Sequence, residues 1–378
     1  MTSSPFVSVI VVNYNRAGLL RDCLDSLVCQ TWRSWEVLVV DNGSTDDSCL
    51  VASSFRDQGV TLLPQPRNLG FAAGNNVGIK RASGDLVALL NNDAVADRKW
   101  LERLVAALES SDRRVGMCAS KILLAGQGLI DKAGHLMYPD GQNRGRGTGQ
   151  KDEGQFDRLE EAFFPDGCAA LYRKGVLAEV DGFDEDFFAY GDDADLGVRA
   201  QWLGWKCLYV PDAVVYHRQS STSGMYSAQK IYRVERNRFW LATKNFPWPL
   251  LLLSPAFTLY RWFWNFLSGL SGRGAAGNFR KETSWRELFR TLGRAYGDGF
   301  RRIRVMWRKR AKIRFDRRIS DLDFYRLLWR FHISARQLAF QDPNRSGIAS
   351  VTSTDGGRSR RLSPGRFSPE EDDLDRRR

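Results

Sequence analysis

Along the first half of the chain, short runs of apolar and often β-branched residues each end in a polar cluster. FVSVIVVNYN, WEVLVVDNGS, VTLLPQPRN and DLVALLNND have the continuous apolar character of strands covered on both faces. Between them, GLLRDCLDSLVCQ, DSCLVASSFRDQ and FAAGNNVGIKRASG read as helices. This alternation predicts an α/β fold with a doubly wound, mainly parallel sheet. Ligands bind such sheets beyond the carboxyl ends of the strands, where Asn13, Asp41 and Asp93 fall on three different strands. A strand that ends LVALLNND places Asn91, Asn92 and Asp93 at the same mouth.

Residues 125–160 are rich in Gly, Asp, Lys and Gln and are expected to form an exposed loop or hairpin insertion. Beyond them ADLGVRAQWLG reads as a helix, and KCLYV and AVVYH as two short strands. After residue 228 the character changes. QKIYRVERNRFWLATKNF is helical, and PWPLLLLSPAFTLYRWFWNFLSGL carries Arg261 as its single charge. A membrane crossing needs ~20 apolar residues, but Pro247, Pro249, Pro255 and Arg261 argue against one straight span. A re-entrant or interfacial membrane segment is expected, with Trp248, Trp262 and Trp264 at headgroup level. SGRGAAGN then reads as a linker, and the tail from Gln341 as disordered. The predicted organisation is a catalytic unit over 1–228, a helical and membrane-associating segment over 229–271, a basic helical region over 272–340 and a tail over 341–378.

Charge divides the same way. Residues 1–228 carry 23 Lys and Arg against 30 Asp and Glu, while residues 229–378 carry 33 against 14. A basic back half seeks an anionic surface. Within it, residues 301–318 hold ten Lys and Arg, one Asp and interleaved aromatics, suiting either a membrane-surface helix or a basic helix packed on the acidic front. Six scattered cysteines without a C-x-x-C pair suit free thiols in a reducing compartment. The N-terminus shows no secretory signal pattern, and a cytoplasmic setting is expected.

Three stretches carry candidate chemistry. In VVDNGSTDDS, Asp41 can accept a hydrogen bond from the ring N–H of uracil or thymine, although Asp-Asn-Gly is also an ordinary turn. In PQPRNLGFAAGNNVGIKRASGDLVALLNNDA, Arg67 and Lys80 could approach a diphosphate while Gly70 and its neighbours let backbone come close. Asp93 suits a hard divalent cation, which binds through one or two carboxylates and substrate phosphates. In FFAYGDDADLGVRAQWLGWK, Asp192, Asp193 and Asp195 open a helix, where negative charge is favoured. Capping suffices for Asp195, but three carboxylates in four positions repel one another, which raises a pKa and makes a general base. His217 closes the strand AVVYH, a credible position for a metal ligand.

In order, VSVIVVNYN, EVLVVDNGSTDDS, RNLGFAAGNNVGI, LLNND, PDGCAALYRKGVLAEVDGFDEDFFAYGDDADLGVRAQWLGWK and VPDAVVYH resemble a family-two glycosyltransferase, in particular its bacterial rhamnosyltransferase-like branch. The resemblance spans roughly residues 5–245. It implies a GT-A fold, inversion at the anomeric carbon, a Mg²⁺ or Mn²⁺ ion and a dTDP- or UDP-linked sugar donor. It also implies a lipid-linked or glycan acceptor, cell-envelope glycan synthesis and work at the inner face of an anionic cell membrane. By motif, Asn13 and Tyr14 would meet the nucleotide, Tyr14 stacking on the base, and Asp41 would bond its ring. Arg67, Asn68, Gly70, Asn75 and Asn92 would complete the nucleotide-sugar pocket. Asp93 would be the retained carboxylate of an Asp-x-Asp motif and His217 the later metal ligand. Asn91 replaces the first Asp, which weakens the metal's hold. Asp193 matches the catalytic base, and Asp192 stands where Glu is usual. Arg236 and Arg238 in ERNRFW match a segment just beyond the transfer domain. Two rivals are a sugar nucleotidyltransferase and a catalytically impaired protein that binds membrane or nucleic acid. The first lacks a Gly-rich signature with a following basic run, and the second shows no nucleic-acid fold signature, so no nucleic-acid partner is expected.

Overall fold

The computed structural model describes residues 6–218, 227–272, 274 and 284–341. The first part runs β1 (Val7–Asn13), α1 (Ala17–Val28), β2 (Trp35–Asp41), α2 (Ser48–Ser54), β3 (Val60–Pro64), α3 (Gly70–Arg81), β4 (Leu86–Leu90), β5 (Ala94–Ala96) and α4 (Trp100–Glu109). There follow β6 (Val115–Leu124), β7 (Leu129–Ala133), β8 (His135–Met137), β9 (Asn143–Gly145), β10 (Glu160–Ala162), β11 (Ala169–Arg173), α5 (Lys174–Glu179), α6 (Asp192–Trp202) and β12 (Lys206–His217). The rest is helical: α7 (Ala228–Asn245), α8 (Trp248–Leu270), α9 (Trp285–Arg301), α10 (Ile303–Asp316), α11 (Asp321–Arg330) and α12 (Ala335–Phe340).

The main sheet has the order β10-β12-β6-β11-β4-β1-β2-β3. Strands β3, β2, β1 and β4 pair in parallel, as do β6 and β12, and β11 joins the two groups antiparallel to both β4 and β6. The sheet is therefore mixed, with six strands sharing one direction. Both faces are apolar. Val7, Val9 and Val11 pack with α1 and α4 on one side, while Ile10, Leu38 and Val40 pack on the other. On that second side Gly78 of α3 is needed for the close approach, since a Cβ there would stand 2.5 Å from Ile10. KCLYV and AVVYH, expected as two strands, are one. Both halves pair with β6, and a register shift between Val210 and Val214 accommodates Pro211 and Asp212.

The back half packs onto the front through buried charge. Asp195, at the start of α6, accepts from Arg199 Nε at 2.8 Å and from Asn245 Nδ2 at 3.0 Å, and pairs with Lys244 Nζ at 2.8 Å. Lys244 also bonds Asp184. Asp195 is thus an ion-pair node rather than a helix cap. Removing one partner of a buried pair strands the other, so Lys244→Met should cost about 3–5 kcal/mol, measured as a lowered urea midpoint.

The apolar segment expected to re-enter a membrane is one continuous helix, α8, that does not fold back. Arg261, its single charge, is buried, with Nε 2.7 Å from Asp140 and Nη1 2.9 Å from Glu235. Among the described residues no helix is long and apolar enough to cross a membrane. The outward side of α8 nevertheless exposes Leu252, Leu259 and Phe263. Part of the basic run 301–318 turns inward, as in the packed-helix reading: Arg302 pairs with Asp186 and Lys309 with Asp184 and Asp186, while Arg318 meets Glu179 from an exposed position. Most of the predicted linker and all of the tail from residue 342 lie outside the described residues.

Candidate active site

The polar ends of β1, β2 and β4 are joined by hydrogen bonds. Asn92 Nδ2 donates to Asn13 Oδ1 at 2.7 Å, and Asn13 Nδ2 donates to Asp41 Oδ1 at 3.0 Å. Ser44 closes the turn on Asp41 through its backbone N at 2.9 Å and its Oγ at 2.6 Å. These bonds hold the strand ends together and leave Tyr14, Asn42, Asn91, Asn92 and Asp93 lining a cleft of about 1160 Å³. The same cleft is also lined by Asp166, Asp192 and Asp193.

A chain of ion pairs links these two groups. Asp93 Oδ1 lies 3.2 Å from His217 Nε2, and His217 Nδ1 lies 2.7 Å from Asp131 Oδ2. Lys132 Nζ is 3.9 Å from Asp131 and 2.8 Å from Asp166, which also meets His135 Nε2 at 2.8 Å. One ligand atom each from His135, Asp166 and Asp193 lies within 4.8 Å of the others. Burial opposes charge on His217, yet Cys168, Asp131 and Asp93 hold its pKa well above the usual imidazole range. Asp166 stays ionised despite burial because Lys132 and His135 face it.

The two carboxylates that open α6 behave differently. Asp192 is buried, and its Oδ2 has no hydrogen-bond partner among the described residues. Burial and the adjacent Asp193 push its pKa well above the carboxylate range. Asp193 faces the cleft, accepting from Gly167 N at 3.2 Å and Ala194 N at 2.8 Å. Burial and the nearby Asp166 raise its pKa too. The loop before α6 bends sharply, with positive φ at Phe188 (64°), Tyr190 (71°) and Gly191 (75°). Asn237 of α7 holds it by donating to the carbonyls of Phe187, Ala189 and Tyr190 at 2.8–2.9 Å. Arg236 donates to the Phe187 carbonyl and stacks on Trp240, so ERNRFW supports the loop that presents Asp193. Gly70 crosses beneath at φ 84°, where a Cβ would stand 2.6 Å from the Phe188 carbonyl oxygen.

Of the residues singled out in the sequence, Tyr14, Asn68, Gly70, Asn91, Asn92, Asp93, Asp192, Asp193 and His217 line the cleft. Asn13 and Asp41 sit behind its wall in the hydrogen-bonded ladder. Asn75 is buried in α3, donating to the Phe71 carbonyl at 2.9 Å, and Arg67 is exposed away from the lining. Lys80 is in the last turn of α3, about 15 Å along the helix from Gly70, too far to approach a diphosphate there. Asp131, Lys132 and His135 come from the stretch expected to be an exposed insertion, which instead supplies β7 and β8 and part of the cleft. The polar DK pair inside the apolar LIDKA was the available signal.

Residues 8–181 match the model of glycosyl transferase family 2. That match takes in just under half of the chain, which carries a domain similar to that family. It is 28% identical over 255 residues to the O-antigen biosynthesis protein RfbC of Myxococcus xanthus, covering 65% of this chain and 19% of that protein. It is 28% identical over 270 residues to the N-acetylglucosaminyl-diphospho-decaprenol L-rhamnosyltransferase of Mycobacterium tuberculosis, covering 64% of this chain and 85% of that protein. Glycosyltransferase AglE of Haloferax volcanii is 28% identical over 226 residues, covering 57% and 68%. The chain thus spans only about a fifth of RfbC, and 26% of the y4gI protein of Sinorhizobium fredii. Among solved structures, GalNAc-T7 with UDP, GalNAc and Mn²⁺ superposes with a TM-score of 0.53 at 16% identity, over 65% of this chain and 48% of that one. S. aureus TarS 1-349 superposes with a TM-score of 0.51 at 19% identity, over 86% and 90%. These two likenesses establish a GT-A-type fold.

Proposed function

We propose that the enzyme moves a sugar, with inversion, from a dTDP- or UDP-linked donor to a hydroxyl of a lipid-linked or glycan acceptor in cell-envelope glycan synthesis. The observation that carries this reading is that Asp193 lines the same cleft as Asp93 and His217. Asp193 takes the acceptor proton as the oxygen attacks the anomeric carbon, and burial with repulsion from Asp166 keeps it basic. Tyr14 and Asn42 face the nucleotide, and the Asn13–Asp41 ladder fixes the turn beneath it. The named rhamnosyltransferase relative makes rhamnose the first sugar to try.

A divalent cation fits the Asp93–His217 side. A carboxylate oxygen and an imidazole nitrogen stand side by side there, and Asp131 orients the second ring nitrogen, as an outer carboxylate does for a metal-binding histidine. Asn91 offers a neutral oxygen nearby. His135–Asp166–Asp193 suits a cation less well, because Lys132 already neutralises Asp166 at 2.8 Å. Bound there, Mg²⁺ or Mn²⁺ supplies Lewis-acid stabilisation of a departing diphosphate. Screening binding and slow hydrolysis over a panel of dTDP-, UDP- and GDP-sugars, with and without Mn²⁺, tests the reading. Turnover of a dTDP- or UDP-sugar is expected; pyrophosphate release from a nucleoside triphosphate instead would defeat it.

The same reading places the enzyme at the inner face of the cell membrane. The apolar outer side of α8 continues into exposed Phe289 and Trp307, flanked by exposed Arg286, Arg290, Arg304 and Arg308. Each basic residue near an anionic surface adds about 1 kcal/mol. The chain should co-sediment with phosphatidylglycerol vesicles at low salt and release at 1 M salt (about a 3 Å screening length). Failure to sediment at low salt would remove the membrane from this proposal.

A further inference from the structure

The cleft does not end at Asp193. Its lining continues past Tyr190 and Arg233 into an arm walled by Trp262 and Phe266 of α8 and Trp285, Leu288, Phe289 and Leu292 of α9. These six side chains are apolar, in contrast to the amides and charged groups around Asp93 and Asp193. Phe266, Trp285 and Phe289 are exposed, so the arm opens on the outward apolar face of α8 and α9.

Two cations join the arm to the polar cleft. The Lys230 ammonium lies 5.5 Å from the centre of the Tyr190 ring, in the loop that leads to Asp192. Among the described residues no carboxylate pairs with Lys230. Burial, with Lys132 and Arg144 nearby, pushes its pKa down to about 8 against the opposing charge of Asp131. Arg144 of β9 donates to the carbonyls of Gln341 at 3.1 Å and Leu338 at 3.3 Å, and Leu338 also lines the cavity.

Resting on the transferase reading, we propose that this arm holds the hydrocarbon chain of the acceptor while Lys230 and Arg144 receive its phosphate. The acceptor is then an anionic amphiphile that reaches Asp193 from the apolar face of α8 and α9. Three features support one occupant. The arm belongs to the same cavity as the catalytic cleft, six apolar side chains wall it beside Arg261, Asn265 and Tyr296, and the cations Lys230 and Arg144 line that cavity too. A free glycan would satisfy only the first.

Calorimetry with monomeric alkyl phosphates on the full chain tests this. Each buried methylene tightens binding about fourfold, so octyl phosphate should bind more than tenfold tighter than hexyl phosphate. Inorganic phosphate and octanol should each bind far more weakly. Leu292→Trp, which fills the arm, and Lys230→Gln, which removes the cation, should each weaken octyl phosphate at least tenfold, with melting temperatures recorded to show that both variants fold. Leu252→Ser, on the outward face of α8, should leave that affinity within twofold. Equal weakening by Leu252→Ser would mean adsorption to the surface and would overturn the assignment. So would competition by saturating dTDP or UDP, because the phosphate would then occupy the donor site. Donor turnover without chain-length dependence overturns the arm alone. Chain-length dependence without turnover of any nucleotide sugar overturns the transferase reading, and with it the bound lipid's role as acceptor.

Discussion

Asp193→Asn should lower sugar transfer by about 10²–10⁴-fold while leaving donor affinity within a few-fold, because the change removes a proton acceptor and little else. The carboxylate meets the protein through two backbone N–H groups, Gly167 and Ala194, and an amide oxygen can accept from one of them. Single-turnover transfer beside calorimetric donor binding separates the two effects. Near-wild-type transfer would remove Asp193 from the mechanism. The pH profile carries an independent sign. A base must be ionised, and burial with repulsion from Asp166 raises the Asp193 pKa. Wild-type transfer should therefore fall as pH drops through that raised value, above the ordinary aspartate range near ~4. An acid limb at or below that range would contradict the environment described. Stability runs the other way for the same pair. Raised carboxyl pKa values mean the folded state holds protons that the unfolded chain has released. Their contribution is fully present below the unfolded value and is lost as pH rises through the folded one. Asp192→Asn should accordingly raise the melting temperature more at pH 8 than at pH 4.

How much of this was legible in the sequence depended on how far apart the interacting residues are. Strand-end positions follow from local pattern, so Asn13, Asp41 and Asp93 could be placed at one edge of a parallel sheet without knowing any contact. Asp193 and His217 came from position plus resemblance. The insertion was harder. Asp131 reaches the cleft because β7 folds back on β6, and its partner His217 is 86 residues away. No local pattern encodes that pairing. Asn237 is similar: it bonds the loop before α6 from about 47–50 residues away. The segment 246–270 holds a single helix rather than a re-entrant turn. Local hydropathy sees one arginine among apolar residues, whereas the fold supplies Asp140, 121 residues earlier, and Glu235 as its counter-charges. Lys80 was placed near a diphosphate by proximity in sequence, but a helix carries position away at about 1.5 Å per residue. Arg67 is exposed in the turn before α3 and lies outside the cleft lining.

Asp93→Ala should abolish metal-stimulated transfer, and chelation of the wild type should do the same. The structure offers few strong ligands at that position. Asn91 contributes no charge, so Asp93 is the only carboxylate of its turn, and His217 stands 3.2 Å away as the second donor. A cation held through one or two protein carboxylates leans on substrate phosphates for its remaining ligands. Metal affinity should therefore be weak without donor and rise when the nucleotide sugar binds. Restoring charge with Asn91→Asp should tighten Mn²⁺ binding to the free enzyme, read by titration calorimetry or Mn²⁺ electron paramagnetic resonance. Asp131→Asn should loosen it about 10–100-fold without removing a ligand, since an outer-shell partner sets the orientation and basicity of His217. The order of effects is the test. If Asp131→Asn outweighs Asp93→Ala, the ion does not sit at Asp93. If Asp166→Asn abolishes Mn²⁺ binding while Asp93→Ala spares it, the ion belongs to the His135–Asp166–Asp193 cluster instead, and Asp193 would be a ligand rather than a base.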